Sequence, residues 1–474
     1  MLFNSLDYFL FLALAVAGFW LLAQHRVARL AFVVVVSCLF YMAANPKYIF
    51  LILASTLVDY AVGLGLGATD DERRRRVLLG ISLVSNLGLL ALFKYFDFWS
   101  GALTEMYSSL TGTAHTPFLL RWALPVGISF YTFQTMSYSI DVYRRALEPK
   151  RSLLEFTSYV TFFPQLVAGP IVRASEFLPQ LEGEPSLRRE QVSRGLFLIG
   201  TGLVKKVAVA DYLSSNLVDR VFAQPELYTG TEVVIALYAF TMQIYCDFSG
   251  YTDMARGSAL FMGYELPENF DRPYQATNPA EFWRRWHMTL SRWLRDYLYF
   301  PLGGSRSGPV RAYFNLWLTM MLIGMWHGAS WTFVLYGFLQ ATVMVIHRFA
   351  RRRSGARDDV EDKLAMRAFK VFWALQFVVF SRILFRASSM DNARAVIERL
   401  TSGTTSTAQI SVALWAMLLA TFALHFTPRT WFATVEREFL RLPAPVQGLA
   451  LGGVGAVLSL VATGEAAPYI YFQF

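Results

Sequence analysis

Long apolar stretches separated by short polar ones dominate the chain. A helix needs roughly 20 largely apolar residues to cross a bilayer. Runs approaching that length lie at 8–23, 31–44, 48–67, 77–97, 123–141, 195–213 and 232–250, and again at 312–326, 328–347, 368–386, 410–426 and 446–464. The pattern predicts an all-α polytopic membrane protein with about 11–12 spans, without repeats, low-complexity tracts or a soluble domain. The first run has no basic flank before it and no evident small-residue cleavage site after it, so it reads as a retained span and not a signal peptide.

The polar loops then orient the spans, because lysine and arginine accumulate on the cytoplasmic side. Arg26 and Arg29 follow the first run, Arg73, Arg74, Arg75 and Arg76 the third, and Arg144, Arg145, Lys150 and Arg151 the fifth. By contrast, 98–122 carries only Arg121 and 214–231 only Arg220. The alternation puts both termini outside a bacterial inner (cytoplasmic) membrane. Two stretches interrupt it. Residues 153–172 are apolar but have basic sequence on both sides, with Arg173, Arg188, Arg189 and Arg194 following, so they should be re-entrant or lie flat. Residues 256–311 contain eight arginines and read as a cytoplasm-facing insert that enters the core. Irregular backbone survives at membrane depth only where protein or a water-filled cavity satisfies it.

Composition agrees. Of 474 residues, 55% are hydrophobic and 16% charged, against about 25% charged in soluble domains. The formal charge of +9 is explained by loop topology and does not call for nucleic acid. Cys38 and Cys246 both lie in apolar runs, so neither a disulfide nor a cysteine-based metal site is expected. One integral-membrane domain is expected over residues 1–474.

Within the insert, Asn278-Pro279-Ala280-Glu281 combines a capping residue, proline at the first helical position and glutamate at the third. A helix should start there and end at Pro301 and Gly303-Gly304. At about 100° per residue, Arg284, Arg285, Arg292 and Arg295 share one arc, opposite Trp283, Trp286, Leu290, Trp293, Leu294 and Tyr297, with His287 on the border. Such a helix suits a membrane interface, its tryptophans at headgroup level and its arginines on lipid phosphate. The same face, Arg284, Arg285 and Arg292 with Trp286, also suits the phosphates of an anionic donor such as coenzyme A, since guanidinium binds phosphate bidentately.

The chain has six histidines. Two stand in tryptophan-histidine pairs, Trp286-His287 and Trp326-His327. Residues 312–347 form an apolar run with basic flanks, read as a hairpin turning near His327-Gly328-Ala329-Ser330, which puts His327 deep in the membrane. There an imidazole is held either by chemistry or by a satisfied hydrogen bond. His25, His115, His347 and His425 sit at loop edges, in a polar loop or at a span end, and are set aside. Asp59, Asp141, Gln243, Asp247, Ser249 and Asp253 are further polar groups within apolar runs. The last three stand in QIYCDFSGYTDMARG, where the carboxylates either orient a histidine or pair with Arg256. Lys205-Lys206 is expected to snorkel to an interface, and Tyr131, Gln134 and Tyr138 to pack. No zinc spacing, phosphate-binding glycine loop, GxSxG elbow or dinucleotide fingerprint is found.

These segments together resemble the membrane-bound O-acyltransferase family, in its bacterial alginate O-acetylation branch. The resemblance is carried by LPVGISFYTFQTMSYSIDVYR (124–144), FFPQLVAGPIVR (162–173), QIYCDFSGYTDMARG (243–257), FWRRWHMTLSRWLRDYLYFPLGG (282–304), GMWHGASWTFVLYG (324–337) and PYIYFQF (468–474), and covers nearly the whole chain. It implies a helical fold around a transmembrane tunnel, acetyl-CoA as a cytoplasmic donor substrate without a bound cofactor or metal, and an active site near mid-membrane. His327 matches the family's essential histidine and His287 its second one, a position that many members fill with asparagine or histidine. The teichoic acid D-alanyl transfer branch has a similar FWxRWHMTLSxW segment, and PLGG at 301–304 favours the polysaccharide branch. Asp247, Ser249, Asp253 and Trp326 are supporting candidates.

The mechanism so implied has coenzyme A docking near Arg284 and Arg285, with its thioester reaching His327. That histidine acts as general base on an acceptor hydroxyl or carries the acetyl group as an acyl-imidazole, and must be neutral for either. In this branch the acetyl group passes to a separate periplasmic SGNH/esterase-like transferase working with exported-polysaccharide machinery. Besides that partner, membrane lipids are expected and nucleic acid is not. Alginate-like glycan is the leading acceptor, with cellulose, peptidoglycan and D-alanyl transfer as alternatives. A proton-coupled transporter using His327 and the carboxylates as a relay is the rival from another class.

Overall fold

A computed structural model describes residues 1–167, 169–355, 363–462, 469 and 470. Among them every regular element is helical. Position 168 in the FFPQLVAGPIVR motif, and 468 and 471–474 of the closing motif, lie outside the described residues. The chain groups into two compact units: Met1–Arg188 with Ser258–Pro267, and Arg189–Gly257 with Glu268–Phe474. The 256–311 insert is therefore divided between them.

Among the described residues, five helices are long and apolar enough to cross a membrane: Pro46–Gly67, Glu72–Thr111, Gly230–Leu260, Trp331–Ser354 and Leu364–Arg386. A sixth span arises if Val412–Phe426 and Arg429–Arg441, bent by 93°, are counted as one. Helices also occupy the other expected runs, but several are short, such as Leu6–Leu21, Arg26–Met42 and Ile128–Tyr143. The span count is thus below the twelve runs in the sequence. The stretch read as an outward loop from 98 begins as helix instead, continuing to Thr111 before Gly112 ends it in a left-handed conformation. The 153–172 stretch folds as two short buried helices, Leu153–Thr161 and Phe163–Leu166. At about 1.5 Å per residue, neither is long enough to cross.

In the first unit, polar side chains at depth satisfy one another. Asp59 accepts hydrogen bonds from Ser82, Ser139 and the amide of Asn86. Arg75 is the buried member of the arginine cluster, whereas Arg73, Arg74 and Arg76 are exposed. It donates to the carbonyls of Leu66 and Thr69 and to those of Val142 and Tyr143. These include last-turn carbonyls of Ile49–Gly67 and Ile128–Tyr143, where a cation also meets the negative end of each helix. Arg75→Ala should therefore lower stability by about 2–4 kcal/mol, whereas Arg76→Ala stays within about 0.5 kcal/mol. Thermal unfolding in detergent distinguishes the two, and equal shifts would refute the capping role.

In the second unit, Pro309–His327 and Trp331–Ser354 form an antiparallel hairpin. They cross where Gly324 faces Gly337: a Cβ on Gly324 would lie 2.2 Å from the Gly337 Cα. Small residues permit such close approach, and the packing it brings is what holds helices together in a bilayer. The hairpin turn is Gly328 to Ser330, and His327 ends the first helix.

Candidate active site

The expected amphipathic helix from 279 to 300 is broken. Asn278 caps Pro279–Arg285 by accepting from the Glu281 amide, as the sequence indicates. His287, at φ 43°, then turns the chain before Met288–Leu294 begins. A left-handed conformation is uncommon for a residue with a Cβ, and it ends the helical register. The single arginine face therefore does not form. Arg285 is committed to Glu281, 2.7 Å away, and to the Asp271 carbonyl. Arg284 is exposed and Arg292 half-buried. Trp286 is buried and packs on Phe270 and Phe282.

The turn is fixed by Asn269, which the sequence reading missed. Its backbone carbonyl accepts from the Met288 amide at 2.9 Å. Its Oδ1 accepts from the Thr289 amide at 3.2 Å and the Thr289 hydroxyl at 2.9 Å. An atom receiving a backbone N–H must be the amide oxygen, so His287 Nδ1, 3.1 Å away, is the donor. The lone pair then sits on Nε2. Burial pushes the His287 pKa down to about 3, which leaves the ring neutral at physiological pH.

The two tryptophan-histidine pairs meet. The Trp326 ring lies 6.1 Å from His287 and 5.2 Å from His327, both edge-to-face. His327 is buried and is further surrounded by Phe385 at 5.1 Å, Tyr336 at 6.3 Å and Phe333 at 6.5 Å. On the other side, Phe248 contacts His287 at 4.8 Å, and Tyr469 near the chain end packs on Phe248 and Tyr251. The result is a buried aromatic cluster with two imidazoles. Low water access around such a cluster strengthens the polar interactions within it.

The supporting candidates separate. Trp326 lies between the histidines. Ser249 is buried in the Gly230–Leu260 helix with no hydrogen-bond partner for its hydroxyl. Asp247 and Asp253 turn instead to lysines: Asp247 to Lys206 at 2.6 Å, and Asp253 to Lys205 at 2.6 Å, with Arg256 4.0 Å away. Lys206 also meets Asp211 at 2.7 Å. The expected snorkelling is thus overturned, because the carboxylates give the ammonium groups partners in the interior. Asp247 also accepts from the Ile470 amide, tethering the chain end beside the site. His425 is a satisfied structural histidine, its Nε2 accepting from the Tyr274 amide at 3.2 Å.

Two other residues escaped the sequence reading. Phe385 touches His327, and Arg382, one turn before it, holds its guanidinium 4.9 Å from the Trp286 ring. The Leu364–Arg386 helix is otherwise strongly apolar around this position. An arginine within such a span, Arg382, was the available signal.

Comparison with known proteins agrees with this architecture. The membrane-bound O-acyltransferase family profile matches residues 77–390. The chain is 35% identical to the probable alginate O-acetylase AlgI of Pseudomonas putida, over the full length of both. It is 33% identical to the peptidoglycan O-acetyltransferase of Helicobacter pylori, over 84% of this chain and 79% of the relative. The teichoic acid D-alanyltransferase of Bacillus subtilis is 28% identical over 47% of this chain and 59% of its own length. With its apolar helices and this profile, the chain is a multi-pass membrane acyltransferase and belongs to the membrane-bound O-acyltransferase family.

Proposed function

We propose that the protein takes acetyl from acetyl-CoA on the cytoplasmic side of a bacterial inner membrane and passes it outward for O-acetylation of an exported polysaccharide, alginate-like in the first instance. The observation that carries the reading is the approach of His287 and His327 to the two sides of Trp326 within one buried aromatic cluster. The names of the relatives supply the acetyl group and the polysaccharide class.

In this reading His327, neutral, accepts the proton of an acceptor hydroxyl as its oxygen attacks the thioester carbon. The carbon–sulfur bond then breaks, and the departing thiolate takes up a proton from the imidazolium. The acceptor belongs to a separate periplasmic SGNH/esterase-like transferase, which carries the acetyl group onward to the glycan. His287 packs on Trp326: its fixed tautomer leaves the Nε2 lone pair for a donor hydrogen while the ring stays uncharged. Arg284, exposed on its short helix, and Arg292 remain the residues for the coenzyme A phosphates.

The test is release of free thiol from acetyl-CoA by the purified protein in vesicles, with labelled acetyl followed to the purified partner. The reading predicts stoichiometric thiol and acetyl-partner. Movement of protons or glycan without thiol release would replace it with the transporter reading. Label trapped on His327 when the acceptor is omitted would assign an acyl-imidazole in place of general-base catalysis.

A further inference from the structure

Arg382 is 1% exposed, four residues before the C-terminal end of an apolar helix, Leu364–Arg386, that is long enough to span the bilayer. Among the described residues no carboxylate forms an ion pair with it, and its Nε and Nη2 have no hydrogen-bond partner. The Tyr274 hydroxyl, whose proton is committed to the Thr241 carbonyl, offers one oxygen to a group with five N–H donors. A buried, uncompensated guanidinium costs several kcal/mol, so its retention calls for a ligand or a structural partner.

Its surroundings point to the ligand. The guanidinium carbon lies 4.9 Å from the Trp286 ring and 5.3 Å from the Phe385 ring. Phe385 in turn packs against His327. The cation is therefore built into the wall that joins the first tryptophan-histidine pair to the second histidine. Neighbouring Ser381 accepts from Gln340, whose own carbonyl accepts from the Trp283 indole, so the segment bearing Arg382 is fixed to both neighbouring elements. A preorganised donor in a water-poor cluster is worth most where negative charge develops during the reaction.

We propose that Arg382 binds the carbonyl oxygen of the donor thioester and stabilises the oxyanion formed from it. This rests on the acetyl-transfer reading. As the acceptor oxygen bonds to the carbonyl carbon, the π pair moves onto the carbonyl oxygen, which receives Nε–H and Nη2–H. The hydroxyl proton goes to His327. When the oxyanion collapses, the carbon–oxygen double bond re-forms, the carbon–sulfur bond breaks and its pair leaves with the thiolate, which the imidazolium protonates.

The test measures thiol release by wild type, Arg382→Gln and Arg382→Lys, together with binding of coenzyme A, which has no acyl carbonyl. An oxyanion donor predicts that R382Q loses about 100-fold or more in kcat, with acetyl-CoA KM and coenzyme A affinity within about 3-fold, because the lost contact strengthens only in the transition state. Unchanged kcat overturns the proposal. Weakened coenzyme A binding with kcat preserved overturns it in favour of a phosphate-binding arginine. If R382Q is not recovered folded, R382K decides. A point charge lacking the planar fork should run at least about 10-fold slower, whereas full activity would make Arg382 a structural cation. Inactive wild type would refute the acetyl-transfer reading itself, whereas active wild type matched by R382Q would refute this assignment alone.

Discussion

Replacing His327 with alanine is expected to abolish acetyl transfer from acetyl-CoA, a loss of at least about 100-fold, the lower range for a positioned general base. The protein should still insert and keep its thermal stability to within a few degrees. The ring is buried against Trp326 and Phe385 but ends its helix, so the deletion leaves a cavity at a turn and does not disrupt helix packing. Asparagine at the same position retains polarity without a titratable nitrogen and should be equally inactive. Turnover by either variant near that of wild type would remove His327 from the chemistry. The measurement is thiol release at saturating acetyl-CoA, with size-exclusion behaviour and melting as controls for folding.

The second large effect lies one turn away and involves no reactive group. Gly324→Ala places a Cβ 2.2 Å from the Cα and 2.5 Å from the amide nitrogen of Gly337, and 3.1 Å from the Phe333 carbonyl. All three obstacles are backbone, so no side-chain rotation relieves them and the hairpin must open. Overpacking of this kind costs about 1–3 kcal/mol. Because His327 follows Gly324 on the same helix, a shift of about 1 Å should reach the imidazole and reduce kcat by on the order of 100-fold. Gly80→Ala is the control: nothing lies within 4 Å of its Cβ position, and both stability and turnover should be unchanged. Equal behaviour of the two variants would show that the hairpin contact does not position the site.

These effects mark what the sequence made legible. The apolar periodicity located the helices, and the small residues after His327 located the hairpin turn, because both are local properties of the chain. The Asn278 cap was legible for the same reason. The break at His287 was not. The capping box and amphipathic pattern favoured one continuous helix, and that register was overridden by Asn269, whose carbonyl and side chain bind Met288 and Thr289 from outside the segment. Losing the register removed the shared arginine face and moved Trp286 indoors. Loop charge was misleading at Arg75 for a related reason, since a residue in a cytoplasmic-type cluster is consumed by helix carbonyls. Asp247 and Asp253 pair with lysines 41 and 48 positions away, contacts that span spacing does not encode. The meeting of the two histidines at Trp326 is likewise tertiary. The motifs gave the residues, and only the fold brings them together.

Acetyl transfer is assigned here to the buried cluster where the two tryptophan-histidine pairs meet. That assignment is tested most directly by an experimental structure with a non-hydrolysable acetyl-CoA analogue bound. The account predicts the carbonyl-equivalent group beside His327, within about 2.6–3.5 Å of the imidazole directly or through one bound acceptor oxygen, and Trp326 still between the two rings. An acyl group seated away from this cluster, with His327 shielded from it by Phe385 and Tyr336, would contradict that assignment.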